Sequence, residues 1–167
     1  MKVFISGSKN IKEFNLDIIN VLNRIVKNGN EVLVGDCEGV DTSIHSFMKG
    51  KKHNKTTVYH VGKKPRNNRY KFKEIKINTT GSLTPYQYYQ QKDIQMTKDA
   101  DAGFVIWDEK SKGSKDNICR LIQSGKPVII YSTKQNKLMK GVRLWKSTKA
   151  QKKIKGLSLR KSFLLYL

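Results

Sequence analysis

The chain has 167 residues, with 34 Lys+Arg against 13 Asp+Glu for a formal net charge of +21, 37% hydrophobic residues and only 3 Pro. That length suits one domain with an extension, and the composition excludes a disordered, collagen-like or disulfide-stapled protein. The opening stretch reaches Gly7 after three apolar residues, too short for a signal-peptide core or a membrane span, so a cytoplasmic protein with no membrane partner is expected.

In chain order, Lys2–Ser6 reads as a buried strand that ends in the tight turn Ser6-Gly7-Ser8. Ile11, Phe14, Ile18, Leu22 and Ile25 recur at helical spacing and predict a helix stopped by Asn28-Gly29-Asn30. Glu31–Val34 is a second strand closed by Gly35-Asp36, and Val40, Ile44, Phe47 and Met48 form the stripe of a second helix that ends near Gly50. Thr56–Val61 is a third strand, followed by a basic loop and by Tyr70–Ile77, whose period-two alternation fits an exposed strand. Thr84-Pro85 opens a helix, with Thr as N-cap and Pro at the first helical position, running to about Lys98. Gly103–Trp107, Gly113–Ser124 and Pro127–Tyr131 complete the pattern as strand, helix and strand. Alternating elements of this kind predict an α/β fold with a parallel sheet of about five strands and helices on both faces. The division expected is a domain over 1–132, with a basic insertion at 63–80, and a basic, partly apolar extension over 133–167.

The charge is unevenly placed. Residues 63–76 hold seven basic residues and one acid, and residues 133–167 hold eleven basic residues and no acid, whereas 1–62 and 77–132 are nearly neutral. Lys63, Lys64, Arg66 and Arg69 are therefore candidates for a rim that meets a polyanion, nucleic acid among them. Solvated surface lysine is the plainer alternative. Cys37 and Cys119 are the only cysteines and share no close spacing, so no zinc site or other metal centre is indicated, and no cofactor is called for. The terminal Phe163–Leu167 run would be an exposed apolar patch unless it docks, which makes a homo-oligomer an option.

In an open parallel sheet the ligand crevice lies beyond the carboxyl ends of the strands. The loops expected there are Ser6-Gly7-Ser8, then Gly35-Asp36 through Gly39 and Asp41, and Trp107-Asp108 through Ser111, Gly113 and Ser114. Glycine lets backbone approach a ligand, and a Gly-Ser step at a helix N-terminus offers free N–H groups to an anion. Asp36 and Asp41 are candidates for ribose contact, for base chemistry or for simple helix capping. His45 stands four residues from Asp41 on the same helical side and is more readily its partner than an acid or base. Tyr86, Tyr89, Asp93 and Met96 fall on one helical face, and a carboxylate among rings makes Asp93 a candidate for substrate contact. Ser114→Glu is the substitution expected to set charge against a bound phosphate and leave the fold intact.

Taken together these loops resemble the SLOG branch of Rossmann-like nucleotide-binding proteins, which includes the lonely-guy phosphoribohydrolases and the DNA-processing protein of natural transformation. The matching residues are Ser6-Gly7-Ser8, Gly35-Asp36 with Gly39-Val40-Asp41, and Trp107-Asp108 through Gly113-Ser114, within residues 1–132. The resemblance implies a nucleotide or nucleotide-derived ligand, with phosphate near Gly7, Ser8, Gly113 and Ser114 and ribose near Asp36 or Asp41. Where the phosphoribohydrolases carry a pair of glutamates, this chain has Asp116 and Asn117. Three functions follow: capture of a nucleotide or signalling nucleotide, hydrolysis or transfer at an N-glycosidic bond with Asp36 or Asp93 as the working carboxylate, and single-stranded nucleic-acid binding through the basic segment and tail.

Overall fold

The computed structural model describes residues 1–141; the expectations for the rest of the tail, Phe163–Leu167 among them, lie outside the described residues. Seven strands and four helices follow in the order β1 (Lys2–Gly7), α1 (Leu16–Lys27), β2 (Glu31–Val34), α2 (Val40–Gly50), β3 (Thr56–Val61), β4 (Lys73–Ile77), α3 (Pro85–Asp99), β5 (Ala102–Trp107), α4 (Lys112–Gln123), β6 (Val128–Ser132) and β7 (Lys137–Gly141). The sheet order is β4-β3-β2-β1-β5-β6-β7, all parallel except β7, which pairs antiparallel with β6. This is a Rossmann-like α/β sheet of seven strands rather than about five. One edge strand, β4 within the basic insertion, is the exposed strand expected over Tyr70–Ile77, here Lys73–Ile77; the other, β7, lies beyond residue 132 and was not expected, so the sheet runs to Gly141.

Alternation along each strand builds two cores. Val3, Ile5, Val32, Val34, Phe104 and Ile106 face α1 and α2, while Phe4, Leu33, Val105 and Ile130 face α3 and α4. The central strands are apolar on both sides because both sides are covered. Edge strand β4 shows the opposite: Lys73, Glu74 and Lys76 are exposed, which blunts an open strand edge against pairing with other chains.

The first helix is shorter than its apolar spacing predicts. Asn15 stops it on the N-terminal side, its side-chain oxygen accepting the Ile18 N–H at 3.2 Å, and the helix begins at Leu16. Ile11 and Phe14 still reach the α1/α2 core, from the loop before the helix. The expected cap of α3 is present in full: Thr84 and Gln87 form a reciprocal capping box ahead of Pro85. No helix among the described residues is long and apolar enough to cross a membrane.

The chain walks outward from β1 through β2 and β3 to β4, then returns over the other face through α3 to lay β5 on the far side of β1. The order reverses between β1 and β5. Loops leaving these two strands diverge, so a crevice opens at their carboxyl ends.

Candidate functional site

A crevice of about 620 Å3 lies at this reversal, within the roughly 300–1,000 Å3 span of small-molecule sites. Its floor comes from Ser6 and Gly7 at the end of β1 and from Gly35 after β2. One wall is the Asp108–Ser114 loop and α4 N-terminus, the other is α3, and Arg66 closes the side nearest β3.

Of the residues expected here, Ser6, Gly7, Gly35 and Asp41 line the crevice, as do Asp93, Asp108, Ser111, Gly113 and Ser114. Ser8, Gly39, Trp107 and Asp36 stand behind its walls, and each has a structural task. The Ser8 hydroxyl accepts the Asp108 N–H at 3.2 Å and lies 3.5 Å from the Ser114 hydroxyl, tying the β1 turn to the β5–α4 loop. The Trp107 indole N–H donates to the Ser111 carbonyl at 3.0 Å and fastens the same loop. Gly39 has φ +78°, and a Cβ there would sit 2.1 Å from the Lys9 carbonyl oxygen, so close backbone approach requires glycine.

Asp36 is fully buried and spent on Arg66. Its carboxylate accepts from the Arg66 backbone N–H at 3.0 Å, from Nε at 3.1 Å and from Nη2 at 2.7 Å. Burial pushes this carboxyl up, but the Arg66 side-chain and backbone hydrogen bonds outweigh it and hold the group below the usual range. The expectation that Asp36 contacts ribose or acts in catalysis gives way to this geometry. Of the rim residues, Arg66 lies over the Tyr89 ring at 4.2 Å, Arg69 lies over Tyr70 at 4.8 Å, and Lys63 and Lys64 are exposed to solvent outside the crevice.

The helix N-terminus is partly occupied by the chain itself. Asp108 accepts the Ser111 N–H at 2.7 Å and the Lys110 N–H at 3.0 Å, and these amides lower its pKa against the opposing effect of burial. Ser111 caps α4 by accepting the Ser114 N–H at 3.4 Å. The amides of Lys112 and Gly113 remain without a partner among the described residues and are the donors left for an anion. Ser114 is buried, bonded to Ser111 and beside Ser8, so Ser114→Glu would bury a carboxylate and would not leave the fold intact. A Cβ on Gly113, by contrast, meets open space. Gly113→Glu is therefore the substitution that sets a negative charge at this end with the fold preserved.

The residue that sequence reasoning missed is Lys92. Its side chain is only 7% exposed, and its ammonium donates to Asp93 Oδ1 at 2.6 Å. It makes no other hydrogen bond among the described residues, so two of its three donors are unspent at the crevice. Gly35 makes room for it: a Cβ there would lie 2.5 Å from Asp41 Oδ2 and 2.6 Å from Lys92 Nζ. Asp93 Oδ2 receives the Asn117 amide at 3.4 Å, and the same amide reaches Ser6 Oγ at 3.3 Å. The spacing signal for Lys92 was available, since it stands three residues after Tyr89 and four before Met96 on the stripe already singled out. His45 does not pair with Asp41; its Nε2 donates to the Gly35 carbonyl at 3.0 Å, and burial lowers its pKa.

Burial pushes the Asp41 carboxyl up to about 6, against the opposing pull of Lys92 and of the Cys37 N–H that it accepts at 3.0 Å. Asp93 on α3 and Asp36 in the β2–α2 loop add to the upward push. A folded-state value above the ordinary 3.8 contributes stability that is present at low pH and lost as pH rises through about 6. Asp41→Asn is expected to gain in Tm on the natural protein as pH is raised from about 4 to 7, read by thermal melts across that range.

No family model matches this chain, and neither does any curated protein. The function therefore rests on the site.

Proposed function

We propose that the crevice binds a nucleotide or nucleotide-derived ligand, sensing or sequestering it. The observation that carries this reading is the meeting, at the strand-order reversal, of unspent donors at two ends of one cavity. At the α4 end the amides of Lys112 and Gly113 suit a phosphate, reinforced by the helix dipole and by the Lys110 and Lys112 ammoniums. On the α3 wall, the Lys92 ammonium and the Asp93 carboxylate suit ribose hydroxyls, which can both accept and donate.

The test is incubation of the protein with nucleotides, nucleoside monophosphates and dinucleotides, reading thermal shift and release of free base by chromatography. A shift with intact ligand is expected. Gly113→Glu should abolish that shift without lowering the melting temperature of the free protein; an unchanged shift in the variant would remove the α4 end from the site.

One observation favours turnover as a second reading. Asp93 lines the crevice with one oxygen held by Lys92 and the other by Asn117, an oriented carboxylate able to stabilise an oxocarbenium-like centre. The C1′–N bond would break with its electron pair passing to the base, and water would supply hydroxide to C1′ and a proton to the base. Base release that disappears in Asp93→Asn would establish this chemistry, whereas release of no base leaves capture as the function.

A further inference from the structure

Across the mouth of the crevice, cations and tyrosine rings alternate. Arg66 from the β3–β4 loop lies 4.2 Å over Tyr89, and Lys112 at the start of α4 lies 4.5 Å over Tyr86, on the same face of α3. Three residues along the loop Arg69 lies over Tyr70, both held to Ser46 on α2 rather than to α3. Both α3 rings are exposed, Tyr86 by 38% and Tyr89 by 41%, which makes them two of only four large apolar side chains so open among the described residues.

The surrounding acids are fewer than the cations and each is hydrogen-bonded. Asp36 is ion-paired with Arg66, whereas Asp108 accepts from the amides of its own loop and Asp116 from the Tyr86 hydroxyl at 2.6 Å and Gln90 at 3.2 Å, neutral donors that leave both carboxylates charged. Lys63, Lys64, Arg69, Lys110 and Lys112 have no ion-pair partner among the described residues. The strip thus presents a net excess of positive charge, with rings set between the charges.

We propose that this strip is a docking track for single-stranded nucleic acid. Phosphates meet the unpaired lysines and Arg69, and unstacked bases lie on the tyrosine and guanidinium planes. A duplex satisfies the charges but keeps its bases stacked on one another, so the rings select the single strand. The proposal does not depend on the crevice holding a free nucleotide, and its test uses a different probe.

The experiment is fluorescence anisotropy of the full chain with a labelled oligothymidylate of about 20 nucleotides, its uridylate counterpart and a duplex of equal length, over a salt series. Single strands should bind more tightly than duplex, with affinity falling steeply as salt rises. The pair Tyr86→Ala with Tyr89→Ala keeps every charge and should weaken single-strand binding about 100-fold, at roughly tenfold per ring, while duplex binding stays constant. Tyr86→Leu with Tyr89→Leu keeps apolar bulk if the alanine pair folds poorly, and should show the same loss. Lys112→Ala should reduce the salt slope by about 0.7. Equal affinity for single strand and duplex, or unchanged single-strand affinity in both tyrosine pairs, would overturn the proposal by making the chain's bulk charge the whole cause of binding. Absence of binding at low salt would overturn it outright.

Discussion

Lys92→Met is expected to destabilise the protein by about 3–5 kcal/mol at neutral pH, the usual cost of removing one partner from a buried ion pair. The ammonium sits 2.6 Å from Asp93 Oδ1 and close to Asp41, so methionine of similar length fills the space but leaves two carboxylates without their cation. The loss should shrink on acidification. Asp41 has its pKa raised to about 6 even with Lys92 present, and in the variant it takes up its proton more readily still, relieving the uncompensated charge. Urea unfolding at about pH 7.5 and pH 5 reads both effects. A deficit that is small and independent of pH would mean that Lys92 serves neither carboxylate.

Asp36→Asn is expected to cost about 2 kcal/mol, toward the middle of the range for hydrogen bonds to charged groups because the Arg66 side chain is 37% exposed and partly screened. Three hydrogen bonds from Arg66 converge on this fully buried carboxylate, and Asn67 adds a fourth tie to the Asp36 carbonyl at 3.1 Å. The Asp36 pKa is lowered in the folded state, so its contribution is present above the ordinary value of 3.8 and is lost as pH falls through the lowered one. The difference between variant and natural protein should therefore be full at neutral pH and fade below about pH 4. Unfolding curves at the two pH values measure it, and faster hydrogen exchange over residues 63–72 should accompany the loss at neutral pH.

The central strands and their order of alternation with helices were legible because buried parallel strands are continuous apolar runs and their helices carry apolar stripes. Of the two edge strands, β4 was legible as an exposed strand from its period-two alternation, and β7 was not. Three of the five residues of β4 are charged, and β7 lies in a lysine-rich segment where an edge strand and a solvated tail have the same composition. The loops around the crevice were legible from Gly7, Gly35 and Gly113-Ser114, but which side chains face it was not. Asp36 and Asp41 stand five residues apart in one loop-to-helix passage, and only the return of the chain at Arg66 turns the first into a buried anchor and leaves the second at the cavity. Lys92 escaped for a different reason. A lysine on a polar helix is ordinarily solvated, and what buries this one is the missing side chain at Gly35, distant in sequence.

The link from β3 to β4 is an eleven-residue loop where parallel strands are more often joined through a helix. Its apolar contribution to the core is confined largely to Phe72, and its hold on the rest of the molecule runs through polar contacts to Asp36 and Ser46. Such a segment is an interchangeable part. Its charge, length and aromatic content can drift over generations with little penalty to the hydrophobic layers, provided that a residue able to grip Asp36 stays in place. The fold thereby separates the stability of its scaffold from the composition of its rim.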